Sequence, residues 1–294
     1  MSRIHEIAQG IQQFSRVDDP NNGKLRPVQE LVWLTHKAVQ EDKALQGLDS
    51  TLKITDAKLY FQRLREIGFI FAEVFAFQEY SWQPPSTTPR IIDLGGDIGG
   101  FSVLYWKSVA PQAKITLVEA NPSTARVVGE NFHRKGLQDI EVINAAVSET
   151  GNEVDLHLSG YNPSNFVGAR TNLNSSRYHV VKVPGIKLSE IIGDEPVDLL
   201  KMDIEGAEGG VFRELEKSGK LGLINEIMME FHNDPANPTN SVTEVVRILQ
   251  ETGFNIENAH ISGRTRSKKI HPVEIYSVKP SDKILFAFSA KRTT

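Results

Sequence analysis

The sequence predicts an α/β protein: a mostly parallel sheet covered by helices on both faces, preceded by a helical extension. Three observations carry this expectation. The stretch Ile91-Ile92-Asp93-Leu94-Gly95-Gly96-Asp97-Ile98-Gly99-Gly100 reads as a short apolar strand, a glycine-dense turn and the start of a helix. From Arg90 onward, apolar strand-like runs alternate with segments of helical spacing, the pattern of parallel strands joined by helical crossovers. Every one of the first five predicted strands ends in a polar or glycine-rich group, and in such sheets ligands gather beyond the carboxyl ends of the strands.

In chain order, residues 1–88 read as an N-terminal helical extension and 89–294 as the main domain. In the extension Val28, Leu31, Val32, Thr35, Ala38 and Val39 fall on one helical face. A second helix is expected from residue 56 to about 77, with Ala57, Tyr60, Phe61, Leu64, Ile67, Phe71 and Val74 on its apolar side. Faces this broad should pack on the main domain or on a second subunit, which makes a homo-oligomer compatible with the sequence. Residues 81–89 hold three prolines and read as a linker.

The main domain begins with the strand 90–94 and the helix opening at Phe101. A second strand is expected at 114–119. The helix after it is well punctuated: Asn121 suits the cap, Pro122 the first turn and Gly136 the stop. A third strand is expected at 141–147, a fourth at 197–202 and a fifth at 224–231. Ser241-Val242-Thr243-Glu244 resembles a capping box, opening a helix that ends at Gly253. Two last strands follow at 254–261 and 283–290. Between the third and fourth strands, 153–160 and 178–183 read as a hairpin around a polar, mobile loop at 161–177.

Composition narrows the function. Of the 294 residues 39% are hydrophobic and 24% charged, which describes a globular chain with a real core. A net charge of −4 argues against nucleic acid as a partner, and the one basic run, 264–269, reads as a solvated loop. There is no cysteine, hence no disulfide and no thiolate metal site. The longest apolar run, 67–77, is interrupted by Glu73 and too short to span a bilayer. Residues 2–13 are polar and broken, unlike a secretory signal. A cytoplasmic protein without membrane partners is the expectation.

The strand ends carry the chemistry. A dinucleotide fingerprint would require glycine at 95, 97 and 100, but position 97 is Asp, an acid that would repel a pyrophosphate and suit an ammonium group. Glu119, closing the second strand, can accept hydrogen bonds from both hydroxyls of a ribose. Asn121 can cap its helix or touch the ligand. Ala145 and Ala146, at the third strand's end, are small enough for an adenine to lie against backbone. On the other side Asp203, Glu205, Glu208, Glu230 and His232 end the fourth and fifth strands. Glu208 also fits a first-turn acid favoured by the helix dipole, and Lys201 is a partner for one of the acids.

These pieces resemble the class I S-adenosylmethionine-dependent methyltransferases and, more narrowly, the FkbM family of O-methyltransferases. The resemblance rests on Ile92-Asp93-Leu94-Gly95-Gly96-Asp97-Ile98-Gly99, Val118-Glu119-Ala120-Asn121-Pro122 and Ala146-Val147-Ser148. Above all it rests on Val197-Asp198-Leu199-Leu200-Lys201-Met202-Asp203-Ile204-Glu205-Gly206-Ala207-Glu208. It covers 90–232; one departure is Asp97, where FkbM proteins more often carry Asn. The resemblance implies a Rossmann-like fold with seven strands, the last one reversed, and S-adenosylmethionine bound across the first three. Gly95, Gly96 and Gly99 would then cradle the methionyl part, Asp93 or Asp97 would meet its ammonium, and Glu119 would hold the ribose, beside Asn121 and Ala145. Asp203, Glu205, Glu230 and His232 would form the catalytic group, with His232 or Asp203 as general base for a hydroxyl on a small-molecule or glycan acceptor. No metal ligands are assigned in this reading; in its alternative, Asp203 and Glu230 hold magnesium. The rival from another class is a non-catalytic nucleoside-binding protein of the same fold, and a nicotinamide oxidoreductase stands third.

Overall fold

The computed structural model describes residues 74, 80–97, 100–134, 136–159, 166–167, 178–234, 236–262, 268–269 and 284–293. The two helices expected in the N-terminal extension lie outside the described residues, as does Gly99. Described elements run β1 (Arg90–Leu94), α1 (Phe101–Val109), β2 (Lys114–Val118), α2 (Pro122–Arg134), β3 (Glu141–Ile143) and β4 (Ala146–Val147). Next come β5 (Val154–Ser159), β6 (Phe166–Val167), β7 (Tyr178–Val183), β8 (Gly185–Ile186), α3 (Leu188–Ile192) and β9 (Val197–Met202). The series ends with α4 (Glu208–Ser218), a 3-10 turn (Lys220–Leu223), β10 (Ile224–Asn233), α5 (Val242–Glu251), β11 (Phe254–Ser262), β12 (Lys268–Lys269) and β13 (Ile284–Arg292).

The main sheet has the order β12-β11-β13-β10-β9-β1-β2-β3. Strands β1, β2, β3, β9 and β10 run parallel, and β13 runs antiparallel to both β10 and β11. This is the expected seven-stranded sheet with one reversed strand, extended at its edge by the two-residue β12. The chain moves outward through β2 and β3, then returns to the other side of β1 as β9. The switch point, where an open sheet parts to admit a ligand, therefore lies at the carboxyl ends of β1 and β9.

Side-chain alternation builds one core on each face. Ile92, Leu94, Leu200 and Met202 face Val211, Phe212 and Leu215 of α4 and Val245, Val246 and Leu249 of α5. Ile91, Leu117 and Leu199 face Val103 and Trp106 of α1 and Val128 and Phe132 of α2. Tyr80 and Trp82 join this second core. The Trp106 indole donates to the Tyr80 carbonyl at 3.2 Å, and the Trp82 indole to Glu226 at 3.1 Å. The segment expected to be a linker is thus docked on the sheet, because two large aromatics within and beside it bury their rings.

Several local expectations are refined. The expected third strand breaks at Asn144, whose amide turns back to the carbonyls of Glu119 and Ala120. Its second half becomes β4, paired with β8. The hairpin forms as β5 and β7, with β6 added from within the stretch read as a loop. Two lysines of the basic run form β12 and pair with β11, so this part of the run is strand and not loop. Only half of the capping box is made: Ser241 Oγ accepts the Glu244 N–H at 3.5 Å, while the Glu244 carboxylate meets Arg213 at 2.9 Å. Among the described residues no helix is long and apolar enough to cross a membrane.

Candidate functional site

Donor-side residues come from the turns after β1 and β2. Gly95 has φ 79°, and a Cβ there would sit 1.8 Å from the Asp203 carbonyl oxygen, so only glycine lets the two loops touch. A Cβ on Gly96 would strike the Leu117 side chain at 2.3 Å. The Gly95 N–H is tied to the Val118 carbonyl at 2.9 Å, and the Asp203 N–H to the Leu94 carbonyl at 3.0 Å. These contacts lock the glycine turn between the second strand and the acidic loop.

Glu119 sits half-buried in this frame. Its carboxylate accepts the Asn121 N–H at 2.8 Å and the Asp97 N–H at 3.2 Å. Asp97 takes part with φ 46°, a left-handed conformation that costs energy without glycine and must be held by its neighbours. Burial pushes the Glu119 carboxyl up to about 7; the charge of Asp97 adds to the rise, and the two N–H groups oppose it. Asn121 is occupied structurally: its Oδ1 accepts the Ser123 N–H at 3.0 Å and caps α2. Ala145 is buried at the break between β3 and β4.

Asp93 is corrected. An ammonium contact was expected of Asp93 or Asp97, but Asp93 is 0% exposed. Its Oδ2 accepts from the Ser102 hydroxyl, and its Oδ1 lies 3.2 Å from Lys201 Nζ. Lys201 also donates to the Gly95 carbonyl at 2.6 Å. Its partner is therefore an acid of the first strand, and the pair forms the floor of the glycine turn. Burial alone would lower the Lys201 pKa; Asp93 and Asp203 outweigh it and hold the ammonium above its ordinary range. Asp97 is half-buried.

Opposite lies a single imidazole among four carboxylates. Strand β10 runs two residues further than expected, so Glu230 and His232 share one face while Phe231 turns into the core. His232 Nδ1 is 2.9 Å from Glu208 Oε1. Its Nε2 is 3.3 Å from Glu205, 3.9 Å from Glu230 and 4.0 Å from Asp203. Asp203 and Glu205 reach it from the loop after β9, where Glu205 adopts φ 53°. Burial alone would lower the His232 pKa, but Glu205, Glu208 and Asp203 dominate and push it up to about 10. These acids favour the protonated ring, so His232 would have to give up its proton before it could act as the expected base.

Glu208 is more than an acid of the first helical turn. It does stand in the first turn of α4, yet it is 0% exposed and anchored to Gly206 N–H, Asn240 and His232. Burial would raise its pKa, and His232 with the Gly206 N–H brings it below the ordinary value. Asn240 escaped the sequence reading altogether, since nothing in its neighbourhood marks it beyond a helix cap. One oxygen each of Asp203 and Glu230 and a ring nitrogen of His232 lie within 4.8 Å of one another, compact enough to share an ion.

Residues 93–256, more than half of the chain, match the family model described as the Methyltransferase FkbM domain. The chain is 27% identical over 210 residues to Methyltransferase 1 of Beauveria bassiana (strain ARSEF 2860), spanning 65% of this chain and 82% of that protein. It is 25% identical over 221 residues to Methyltransferase sdnD of Sordaria araneosa, spanning 65% and 83%. Among solved structures, the METTL16 methyltransferase domain aligns with 92% of this chain and 99% of its own, at 10% identity and a TM-score of 0.46.

Proposed function

The chain belongs to the FkbM methyltransferase family, and we propose that it is an S-adenosylmethionine-dependent O-methyltransferase acting on a hydroxyl of a small metabolite, sugar or natural product. The observation that carries this reading is a juxtaposition. The glycine turn with Glu119 and the carboxylate ring around His232 meet at one switch point, where Gly95 touches the Asp203 backbone. S-adenosylmethionine, when bound, supplies a sulfonium methyl group that an acceptor oxygen takes by in-line displacement. Glu119 would hold the ribose and Asp97 the ammonium. As the methyl group moves, positive charge develops on the acceptor oxygen, and Asp203, Glu205 and Glu230 stabilise it. The hydroxyl proton would pass to a carboxylate; we choose Asp203, which lies 4.0 Å from His232 Nε2 on the loop that touches Gly95. A pure binding protein would have no use for this excess of negative charge.

A second reading, in which an ion lowers the pKa of the acceptor hydroxyl, is favoured by the compact Asp203–Glu230–His232 group. The two carboxylates suit magnesium, whereas a protonated imidazole does not. Asp203 and Glu230 would hold the ion. In either reading we take the protein to be cytoplasmic, without nucleic-acid or membrane partners.

Calorimetry tests the donor site directly. S-adenosylmethionine should bind and NAD should not; the reverse would sink the proposal. Glu119→Ala should weaken binding by about 1–3 kcal/mol, the value of hydrogen bonds to a charged group. Because the free carboxyl titrates near 7 and its ionised form is the better acceptor, donor affinity should rise with pH up to about 7 and level off above. The sign is opposite for stability of the free protein. A carboxyl raised from 4.5 to about 7 binds its proton more tightly when folded, so stability falls as pH rises between those values. Affinity that is flat from pH 6 to 8 would remove Glu119 from the ribose site.

A further inference from the structure

The Asn240 side chain makes three hydrogen bonds, and together they determine how its amide must be oriented. It is 4% exposed, on the turn between β10 and α5. Its Oδ1 accepts the Gly209 N–H at 2.6 Å. Its Nδ2 donates to Glu208 Oε2 at 2.7 Å and to the His232 carbonyl at 2.9 Å. Rotating the amide by half a turn would set NH2 against N–H and oxygen against two oxygens, so one orientation is enforced. Glu208 in turn receives the Gly206 N–H at 3.0 Å and lies 2.9 Å from His232 Nδ1. With both Glu208 oxygens so engaged, the ring is held at Nδ1 and the peptide of the same histidine at its carbonyl.

We propose that Asn240 is a positioning residue for methyl transfer: through Glu208 it orients the His232 ring so that Nε2 faces Asp203, Glu205 and Glu230. It touches neither donor nor acceptor and acts through two other side chains. Without it Glu208 would be free to turn within a buried pocket, and Nε2 would lose its fixed place among the acids. The inference rests on the reading that the acceptor is deprotonated at this end of the sheet.

The test compares Asn240→Asp with Ser241→Ala. Asn240→Asp keeps the shape and the acceptor for Gly209 but sets a second carboxylate against Glu208. It should lower kcat by about 10–100-fold, the usual penalty for losing a supporting shell, with donor affinity unchanged. Ser241→Ala removes only the cap of α5 and should lower thermal stability without moving kcat. A second readout needs no acceptor: in histidine-labelled protein, the Nδ1 proton of His232 should appear downfield and protected from exchange, and should vanish in Asn240→Asp. If Asn240→Asp does not fold, Glu208→Gln carries the same comparison. Persistence of the protected proton in the variant would overturn the proposal, as would equal loss of kcat in Ser241→Ala. Absence of methyl transfer by the wild-type protein, with the proton behaving as expected, would count against the acceptor reading and leave the positioning role standing.

Discussion

Asp203→Asn is expected to cut turnover by about 10²–10⁴-fold, the range for a lost general base, with S-adenosylmethionine affinity close to that of the wild type. The substitution keeps the side-chain shape, and the backbone contacts of Asp203 with Leu94 and Gly95 do not involve the carboxylate. What disappears is the one charge at the end of β9 that stands 4.0 Å from His232 Nε2, farther than Glu205 at 3.3 Å. The acceptor proton then loses the carboxylate proposed to receive it, and the developing charge on oxygen loses a partner. Turnover measured with and without EDTA separates the two readings in the wild type. Persistence in chelator supports the carboxylate base, and loss restored by magnesium supports an ion on Asp203 and Glu230. Turnover of Asp203→Asn within threefold of wild type would exclude Asp203 from both.

Much of the fold was legible because it depends on local pattern. Apolar runs of strand length, the Pro122 helix start and the glycine stops are written residue by residue, and the structure places β1, β2, β9, β10, β11 and β13 within a few residues of expectation. The failures share a cause. Asn144 breaks a strand that its apolar neighbours would continue, because its amide finds two carbonyls across the turn. Lys268 and Lys269 read as loop until β11 offers them a partner strand. Both outcomes depend on a partner segment elsewhere in the chain, to which composition is blind.

The site divides in the same way. Strand-end position alone pointed to Glu119, Asp203, Glu205, Glu230 and His232. It could not say what each side chain would meet. His232 reads as a base on its intrinsic pKa, and only the carboxylates the fold gathers around it push that pKa up to about 10. Asp93 reads as a ligand group because it precedes the glycine turn. Yet in the register of the parallel ladder Asp93 lies directly beside Lys201, on the face that carries Ile91 and Leu199. Each of these two central strands ends with a single charge of opposite sign among apolar residues, a signal present in the sequence but meaningful only once the register is known.

That pairing sets the second large effect. Lys201→Met should destabilise the fold by about 3–5 kcal/mol, because it leaves the Asp93 carboxylate buried without its cation. Against a total stability of about 5–15 kcal/mol, this approaches the limit of a folded protein. Donor binding should weaken as well, since the Gly95 carbonyl loses its donor at 2.6 Å and the glycine turn its floor. Ser102 remains hydrogen-bonded to Asp93 but cannot neutralise it. The pair is best tested by a cycle of Lys201→Met, Asp93→Asn and the double variant, followed by denaturant unfolding. Asn in place of Asp removes the stranded charge, so the double variant should recover more than half of the stability lost by Lys201→Met while donor binding stays weak. Losses that simply add, within about 0.5 kcal/mol, would show that the two charges do not depend on each other. The floor of the donor turn would then have to be sought in the apolar core of α1 and α2.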